Sequence, residues 1–298
     1  MAVESRLHRL TELAREKSSE RRRALLREVT DLFFDEPPQT GSAELVHFDS
    51  VLSTLAAQTA QDARAELSRR FADAPLAPRG LILQLARDAI EVAAPILAKS
   101  GALSEADLIA IVNEASEDHR RAVADREAVP VKLADAIVAR GDDTTLAKLA
   151  SNRGATLSRA AFETMTERAQ HNPALQAPIV NRTDTPADLL GDLVHVVENS
   201  LRDRILKRFE ALDPKAAEAA LAASHARLEA RIANDREIAE ARRFVTGRRI
   251  RKELDGALLV RLLREGQRIK CMAALAELAG VDFTAAQRAM DHASPDGL

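Results

Sequence analysis

The residues of this sequence best suited to molecular recognition are arginines at recurring positions. Arg126 and Arg182 each stand four residues before a proline, Pro130 and Pro186 respectively. A guanidinium group binds carboxylates and phosphates through two parallel hydrogen bonds, so the pair predicts a concave surface that recognises an anionic partner. The alternative is structural, because arginine side chains also donate to the carbonyl groups at the end of a preceding helix. Of the two roles, the structural one is the commoner.

A second candidate site is a basic segment in the C-terminal half. Residues 201–270 contain 18 Lys and Arg against 11 Asp and Glu, although the whole chain has a formal net charge of −3. Within it, six cations surround Thr246 and Gly247 with no acid among them: Arg242, Arg243, Arg248, Arg249, Arg251 and Lys252. Such a local excess of positive charge attracts acidic partners. We predict that these cations, with Arg126 and Arg182, contact a partner protein.

The end of the chain contains a pattern similar to the helix-turn-helix of repressor proteins. Gly280 falls in the turn between two short helical segments, and Gln287 and Arg288 lie on the second of them. A second helix of this kind reads base edges, and the basic segment upstream would contact phosphates. Nucleic-acid binding is therefore the alternative function.

Motifs for catalysis, metal binding or cofactor binding are missing from the sequence. The seven histidines have no metal-ligand spacing, and neither a phosphate-binding glycine loop nor a nucleophile elbow occurs. We therefore expect a non-enzymatic protein without cofactor or metal. A single cysteine, Cys271, indicates a reducing compartment. Because no signal-peptide core and no run of about 18 apolar residues is present, we predict a cytoplasmic protein without a membrane span.

The elements that position these residues are helices. The chain has no Trp or Tyr and 46% hydrophobic residues, and Ala, Leu, Arg and Glu dominate it. One pattern recurs after Pro78, Pro130 and Pro186, at spacings of 52 and then 56 residues. A fixed period of this size is typical of helical repeat arrays, so we predict an all-α solenoid. Each proline is expected at the first position of a helix.

The pattern divides the chain into four predicted segments. An N-terminal helical segment covers residues 1–36, with helices at 3–16 and 18–34, and the helical-repeat domain covers residues 41–200. Long charged helices follow at 201–247: one helix predicted from 189 to 212 extends into this segment, and another spans 215 to 245. Residues 248–298 form a small helical module. The thin apolar stripe of the 215–245 helix predicts self-association, because it has the width of a coiled-coil seam.

Several short stretches of the sequence resemble a bacterial domain-of-unknown-function family, number 2336. They are Leu85-Ala86-Arg87-Asp88, Ala93 to Ser100, Ala124-Asp125-Arg126, Val180-Asn181-Arg182 and Leu262 to Gly266. The resemblance spans most of residues 45–290 and implies HEAT-like repeats, which usually act as binding surfaces. A minority of HEAT-like proteins are DNA glycosylases that use aromatic residues near the base, and the absence of Trp and Tyr counts against that activity. The resemblance carries no catalytic residues over.

These observations lead to one main hypothesis. We expect a cytoplasmic scaffold or adaptor that binds another protein, whose identity the sequence does not reveal, through its helical-repeat surface and its basic segment.

Overall fold

A computed structural model describes residues 19–39 and 41–291, except for the side chains of residues 19, 288, 289 and 291. The described residues form seventeen α-helices and no strand. The helix predicted for residues 3–16 lies outside them, and the helix predicted for 18–34 is confirmed as α1, Ser19–Asp35. The next twelve helices are α2 (Ala43–Ala57), α3 (Gln61–Phe71), α4 (Arg79–Ala86), α5 (Ile90–Lys99), α6 (Glu105–Glu114), α7 (Glu117–Ala124), α8 (Val131–Arg140), α9 (Asp143–Ser151), α10 (Arg159–Ala169), α11 (Pro173–Asn181), α12 (Ala187–Leu193) and α13 (Asn199–Glu210).

Helices α2 to α13 form two layers. The helices α3, α5, α7, α9, α11 and α13 pack in sequence on one another in one layer. In the other layer, α2 packs on α4, α6 on α8, α8 on α10 and α10 on α12. Each unit is a pair of helices that buries its apolar side against neighbouring pairs, which is the arrangement of an α-solenoid. The predicted all-α, HEAT-like repeat fold is confirmed.

The predicted period contains two helix pairs rather than one. The 52 residues from Pro78 to Pro130 hold α4 to α7, and the residues from Pro130 to Pro186 hold α8 to α11. Each of these prolines stands at the N-cap, one residue before the predicted first helical position. A proline is accepted there because helix N-termini have no intrahelical partner for its missing N–H.

The period recurs in the sequence because the same positions are buried. Helix α4 buries Leu81, Ile82, Leu85 and Ala86, and α8 buries the residues 52 positions later, Leu133, Ala134, Ile137 and Val138. Positions i, i+1, i+4 and i+5 share one side of a helix, so this side faces the core in both units. All eight side chains are at most 4% exposed.

The first helices are joined by aromatic side chains. Phe33 and Phe34 of α1 lie against Phe71 of α3, with ring centroids 5.1 and 5.0 Å from it, and Phe33 also meets Phe48 of α2 at 5.2 Å. Edge-on and tilted ring pairs at this distance stabilise the packing beyond the area they bury. Half of the eight phenylalanines of the chain are therefore used to attach α1 to the repeat array.

The single helix predicted for residues 189–212 is wrong. The structure divides it into α12, which ends at Leu193, and α13, which begins at Asn199. The intervening residues include Val194, Val196 and Val197, whose branched side chains are poor helix formers. The side chain of Arg202 donates from Nε to the carbonyl oxygen of Val194 at 2.8 Å, which satisfies the freed end of α12.

The chain divides into two compact units between Ala217 and Glu218. Helix α14 (Pro214–Ile250) confirms the long helix predicted for 215–245 and extends it, and α15 (Gly256–Arg264), α16 (Arg268–Ala279) and α17 (Phe283–Asp291) follow. In the second unit, Ala241 and Val245 of α14 share a core with residues of α15 and α16. The predicted segment boundaries at 200/201 and 247/248 both lie within helices, α13 and α14.

The connection between α9 and α10 is held by an unusually close backbone contact. Gly154 lies so near the carbonyl group of Glu127 that a Cβ atom at this position would be 1.8 Å from the Glu127 oxygen. The same connection pairs with Val129, whose N–H donates to the oxygen of Gly154 at 3.1 Å and whose oxygen accepts from Thr156 at 2.9 Å. This segment is therefore a fixed part of the array, and only glycine fits at its centre.

We predict that Gly154→Ala destabilises the first unit by about 1–3 kcal/mol, because the backbone of two connections must move apart. Chemical denaturation followed by circular dichroism measures the effect. Gly101→Ala is the matched control, since a Cβ there meets nothing within 4 Å, and it should change stability by less than about 0.5 kcal/mol. Equal stability of the two variants would contradict the close contact.

Candidate functional site

Arg126 occupies the space behind the end of α5. Its Nη1 donates to the carbonyl oxygen of Leu97 at 2.7 Å and its Nη2 to that of Ser100 at 2.9 Å. Leu97 lies in the last turn of α5 and Ser100 is its C-cap residue. Carbonyls there have no intrahelical donor, so the guanidinium group caps the helix. Burial lowers the pKa of the Arg126 guanidinium from its usual value.

Asn152 caps the end of α7 in the same way. Its Nδ2 donates to the carbonyl oxygens of Ala124 and Arg126, at 2.9 and 2.7 Å. Arg126, whose side chain caps α5, thus accepts a hydrogen bond at its backbone oxygen from Asn152, the C-cap residue of α9. Asn152 is not among the site residues predicted from the sequence.

Arg182 continues the series at the end of α9. Its Nη1 donates to the oxygen of Asn152 at 2.7 Å and to that of Ala150 at 3.3 Å, and its Nη2 donates to that of Ala155 at 2.7 Å. Nε and Nη2 also bind the carboxylate of Asp184, at 2.8 and 2.7 Å. Arg182 is 9% exposed, and each of its three nitrogens already donates to a partner.

Arg208 of α13 completes the described series. Its guanidinium group donates to the carbonyl oxygens of Arg182, Thr183 and Thr185 at 2.7 to 3.0 Å. We call Arg126, Asn152, Arg182 and Arg208 the carbonyl ladder, because each binds carbonyl groups at or just after the end of an earlier helix and the first three offer their own carbonyl to the next. A step is the sequence separation between the residue whose carbonyl accepts and the residue that donates to it. The steps are 26 residues from Ser100 to Arg126, 26 from Arg126 to Asn152, 30 from Asn152 to Arg182 and 26 from Arg182 to Arg208. The sequence signal for Asn152 is its place 26 residues after Arg126, at half of the 52-residue period.

The ladder assigns Arg126 and Arg182 to the structural role that the sequence analysis considered the commoner. The structure corrects the prediction that Arg182 contacts a partner. This side chain is buried, and its five intramolecular hydrogen bonds leave no N–H group for a partner. The recurrence of an arginine at this position follows from the recurrence of helix ends that need a donor.

Asp184 stabilises the ladder through its ion pair with Arg182. Burial opposes ionisation of this carboxyl group, but the hydrogen bonds and positive charge of Arg182 outweigh it and hold the pKa of Asp184 below its usual range. A depressed pKa in the folded state means that the ion pair stabilises the fold above the ordinary carboxyl pKa. This contribution is lost as the pH falls through the lower, folded-state pKa.

The basic segment forms the end of α14 and the turn after it. Lys252 has a backbone φ of 57° and is the one residue other than glycine with a positive φ in the described chain. The N–H of Lys252 donates to the oxygen of Arg249, and that of Glu253 donates to the oxygen of Arg248. These two bonds form a Schellman motif, whose left-handed position glycine usually occupies. The turn fixes where the chain leaves the helix and keeps the Lys252 side chain exposed.

The six predicted cations fall into two groups. Arg248 binds Glu253 at 2.5 Å, Arg249 binds Glu277, and Arg242 stacks over the ring of Phe283 at 6.0 Å. Arg243, Arg251 and Lys252 are exposed and have no carboxylate partner among the described residues. The first three therefore help to hold the second unit together, and the other three remain available.

Helix α15 adds two cations that the sequence analysis did not name. Arg261 and Arg264 are exposed and also have no acidic partner in the described part of the chain. The end of α14 and α15 share one core, so these cations lie on neighbouring elements. We call Arg243, Arg251, Lys252, Arg261 and Arg264 the basic set. The charge count of residues 242–270, ten Lys and Arg against three Asp and Glu, was the signal that would have included all five.

The predicted hairpin at the end of the chain is present. Helix α16 ends at Gly280, which has a φ of 67° and a left-handed conformation, and α17 begins at Phe283. Phe283 and Met290 pack against the core of the second unit, whereas Gln287 is exposed. The side chain of Arg288 lies outside the described residues. The backbone thus has a helix, a short turn and a second helix, and its nucleic-acid role stays a prediction.

The comparison with protein families gives one match. A model described as an uncharacterised protein conserved in bacteria, DUF2336, matches residues 92–298. The chain belongs to the DUF2336 family. The match includes the whole carbonyl ladder and the basic set, so both features of this DUF2336 protein lie in the part that the family defines. No curated protein and no solved structure matches the chain.

Within residues 19–39 and 41–291, no helix is long and apolar enough to cross a bilayer. The same residues contain no group of three or more His, Cys, Asp or Glu side chains placed to hold a metal ion. Cys271 is buried, and burial raises the pKa of its thiol, which makes it a poor nucleophile.

We predict that Arg182→Ala lowers the free energy of unfolding by about 3 kcal/mol or more, because it leaves buried carbonyl groups and the Asp184 carboxylate unpaired. Denaturant unfolding measures the loss. Arg140→Ala is the control, since Arg140 is an exposed arginine of α8 without a described hydrogen bond, and it should change stability by less than about 0.5 kcal/mol. If both variants unfold like the wild type, Arg182 does not hold the array together.

Proposed function

We propose that this DUF2336 protein is a non-enzymatic scaffold or adaptor that binds an acidic segment of another protein through the basic set of its second unit. The observation that carries the proposal is the presence of five exposed, unpaired cations in a chain whose net charge is negative. Unpaired surface charges of one sign speed the encounter with a partner of opposite charge and select against partners of the same charge. A cytoplasmic location stays a prediction.

Exposed aliphatic side chains beside the basic set favour a protein partner. Ile250 is 74% exposed, and Val260 and Leu263 of α15 are 48% and 46% exposed. An interface between proteins has an apolar centre and a polar rim, whereas binding to a nucleic-acid backbone depends mainly on cations. We therefore propose that the bound segment is an amphipathic helix that combines leucine-like and acidic side chains. Nucleic acid remains the alternative partner, because the terminal hairpin leaves Gln287 exposed.

We predict that replacing the basic set by alanine weakens the binding of a fluorescein-labelled acidic amphipathic helix by about tenfold or more, because its carboxylates lose their partners. Fluorescence anisotropy at low and moderate salt measures the affinity. Ile250→Ser should also weaken binding, without a change in stability, because this side chain is exposed.

The control replaces four exposed cations of the first unit by alanine: Arg69, Arg87, Lys132 and Arg140. It should bind the helical peptide like the wild type. A 20-base-pair duplex serves as the second probe. Tighter, salt-dependent binding of the duplex than of the peptide would favour the nucleic-acid alternative, and binding of neither probe would contradict both functions.

A second copy of the chain is a further candidate partner, through α14. Leu221, Leu228 and Ile232 are exposed and follow one another at intervals of seven and four residues, which is the spacing of a coiled-coil seam. We propose that two copies associate along this stripe.

Leu228→Glu should then abolish a concentration-dependent increase in sedimentation coefficient that the wild type displays, because it introduces a charge into the seam. Ala230→Glu adds the same side chain about 200° around the helix and should leave the association unchanged. A wild-type protein that sediments as a monomer at every concentration would exclude association through α14.

A further inference from the structure

An open cleft that no predicted function uses lies beside the longest step of the carbonyl ladder. The step from Asn152 to Arg182 spans 30 residues, whereas the other steps span 26. At this step lies an open cleft of about 750 Å³, between the end of α9, the end of α11 and their following connections. Insertions in a repeat array lie in its connections and often on its binding face.

The cleft has an apolar floor and a rim rich in hydrogen-bond donors. Ala150, Ala155 and Ala177 form this floor and leave room above it, because their side chains are single methyl groups. The rim carries Ser151, Arg153, Thr156, Asn181 and Thr183, all of them exposed. This combination of a small apolar floor and a few polar groups suits a ligand that brings both methylene and polar groups.

The charge of the cleft is positive. Arg153 has no hydrogen-bond or ion-pair partner among the described residues, whereas the other two charged groups of the lining, Arg182 and Asp184, neutralise each other at 2.7 Å. Asn181 accepts from Arg204 through Oδ1 at 2.5 Å, which leaves its Nδ2 as a donor. The groups left for a ligand are thus a guanidinium group, an amide N–H₂ and the hydroxyls of Thr156 and Thr183, which together match a carboxylate.

The cleft is also preorganised. Gly154 follows Arg153 and contacts the Glu127 carbonyl, Gly154 N–H donates to the Asn152 side chain at 2.8 Å, and the backbone of Thr156 is bound to Val129. These contacts fix the connection on which Arg153 and Thr156 stand, so a ligand does not have to order it.

We propose that this cleft binds an extended acidic peptide segment of a partner protein, with one glutamate or aspartate side chain held by Arg153. The peptide nature of the ligand rests on the proposed function, the binding of another protein, whereas the site is a separate one in the first unit. Bidentate hydrogen bonds from Arg153 and donors from the two threonine hydroxyls hold the carboxylate, and the alanine floor accepts the methylene groups of the peptide.

The test uses the full chain with Ser151→Trp as a reporter. The protein has no Trp or Tyr, so tryptophan emission then arises at the rim of the cleft alone. Titration with an acetylated, amidated peptide of alternating glutamate and alanine should produce a saturable emission change. Adding Arg153→Ala should raise the dissociation constant about tenfold, and adding Arg140→Ala should leave it within about twofold. The corresponding glutamine peptide should bind about tenfold more weakly.

Pro178→Trp, at another lining residue of the cleft, provides a second reporter position if the first variant fails to fold by circular dichroism. No saturable change with either folded reporter, or equal affinities with and without Arg153, overturns the proposal. Saturation by millimolar acetate with the same response also overturns it, in favour of a small-carboxylate site. Replacing the basic set in the reporter protein should leave the emission titration unchanged, so that failure of the cleft and failure of the proposed function are distinguished.

Discussion

The repeat array depends on satisfying the carbonyl groups at the ends of its short helices. The helices α3 to α13 have seven to twelve residues, and each leaves its last carbonyls without intrahelical donors. Burying these carbonyls unpaired would cost more than a single apolar contact returns. The carbonyl ladder supplies donors to carbonyl groups at or just after the ends of α5, α7, α9 and α11. Because Arg126, Asn152 and Arg182 both donate and accept, neighbouring helix pairs are joined by directional bonds as well as by leucine packing.

This use of arginine divides the positive charge of the chain by function. Guanidinium groups suit the ladder because they reach several carbonyls at once and stay charged even when burial lowers their pKa, as at Arg126 and Arg208. Other arginines pair with carboxylates, as Arg159 does with Glu163 and Asp188. The cations available to bind a partner are therefore those that neither bind carbonyls in the ladder nor pair with carboxylates. In the first unit Arg153 is one of these, and in the second unit the basic set supplies five.

Departures from the repeat are as informative as the repeat itself. The connection after α9 has two residues more than those after α5 and α11, and it is the one that pairs with Val129 and forms the rim of a cleft. The turn after α14 similarly accepts a lysine in a left-handed conformation. In both places the backbone adopts an arrangement that apolar packing alone does not require, and an exposed cation stands beside it.

The sequence by itself determined the helical class, the 52-residue recurrence, the prolines at helix starts and the long α14, because these follow from apolar periodicity and from local backbone chemistry. It also indicated the basic segment, because charge can be counted. Only the tertiary structure decided that Arg182 is buried in a helix cap, that Asn152 belongs to the same ladder, and that α12 and α13 are separate. Those outcomes depend on which carbonyls and carboxylates come within about 3 Å of a side chain, and residues 26 to 30 positions apart meet only when the helices stack.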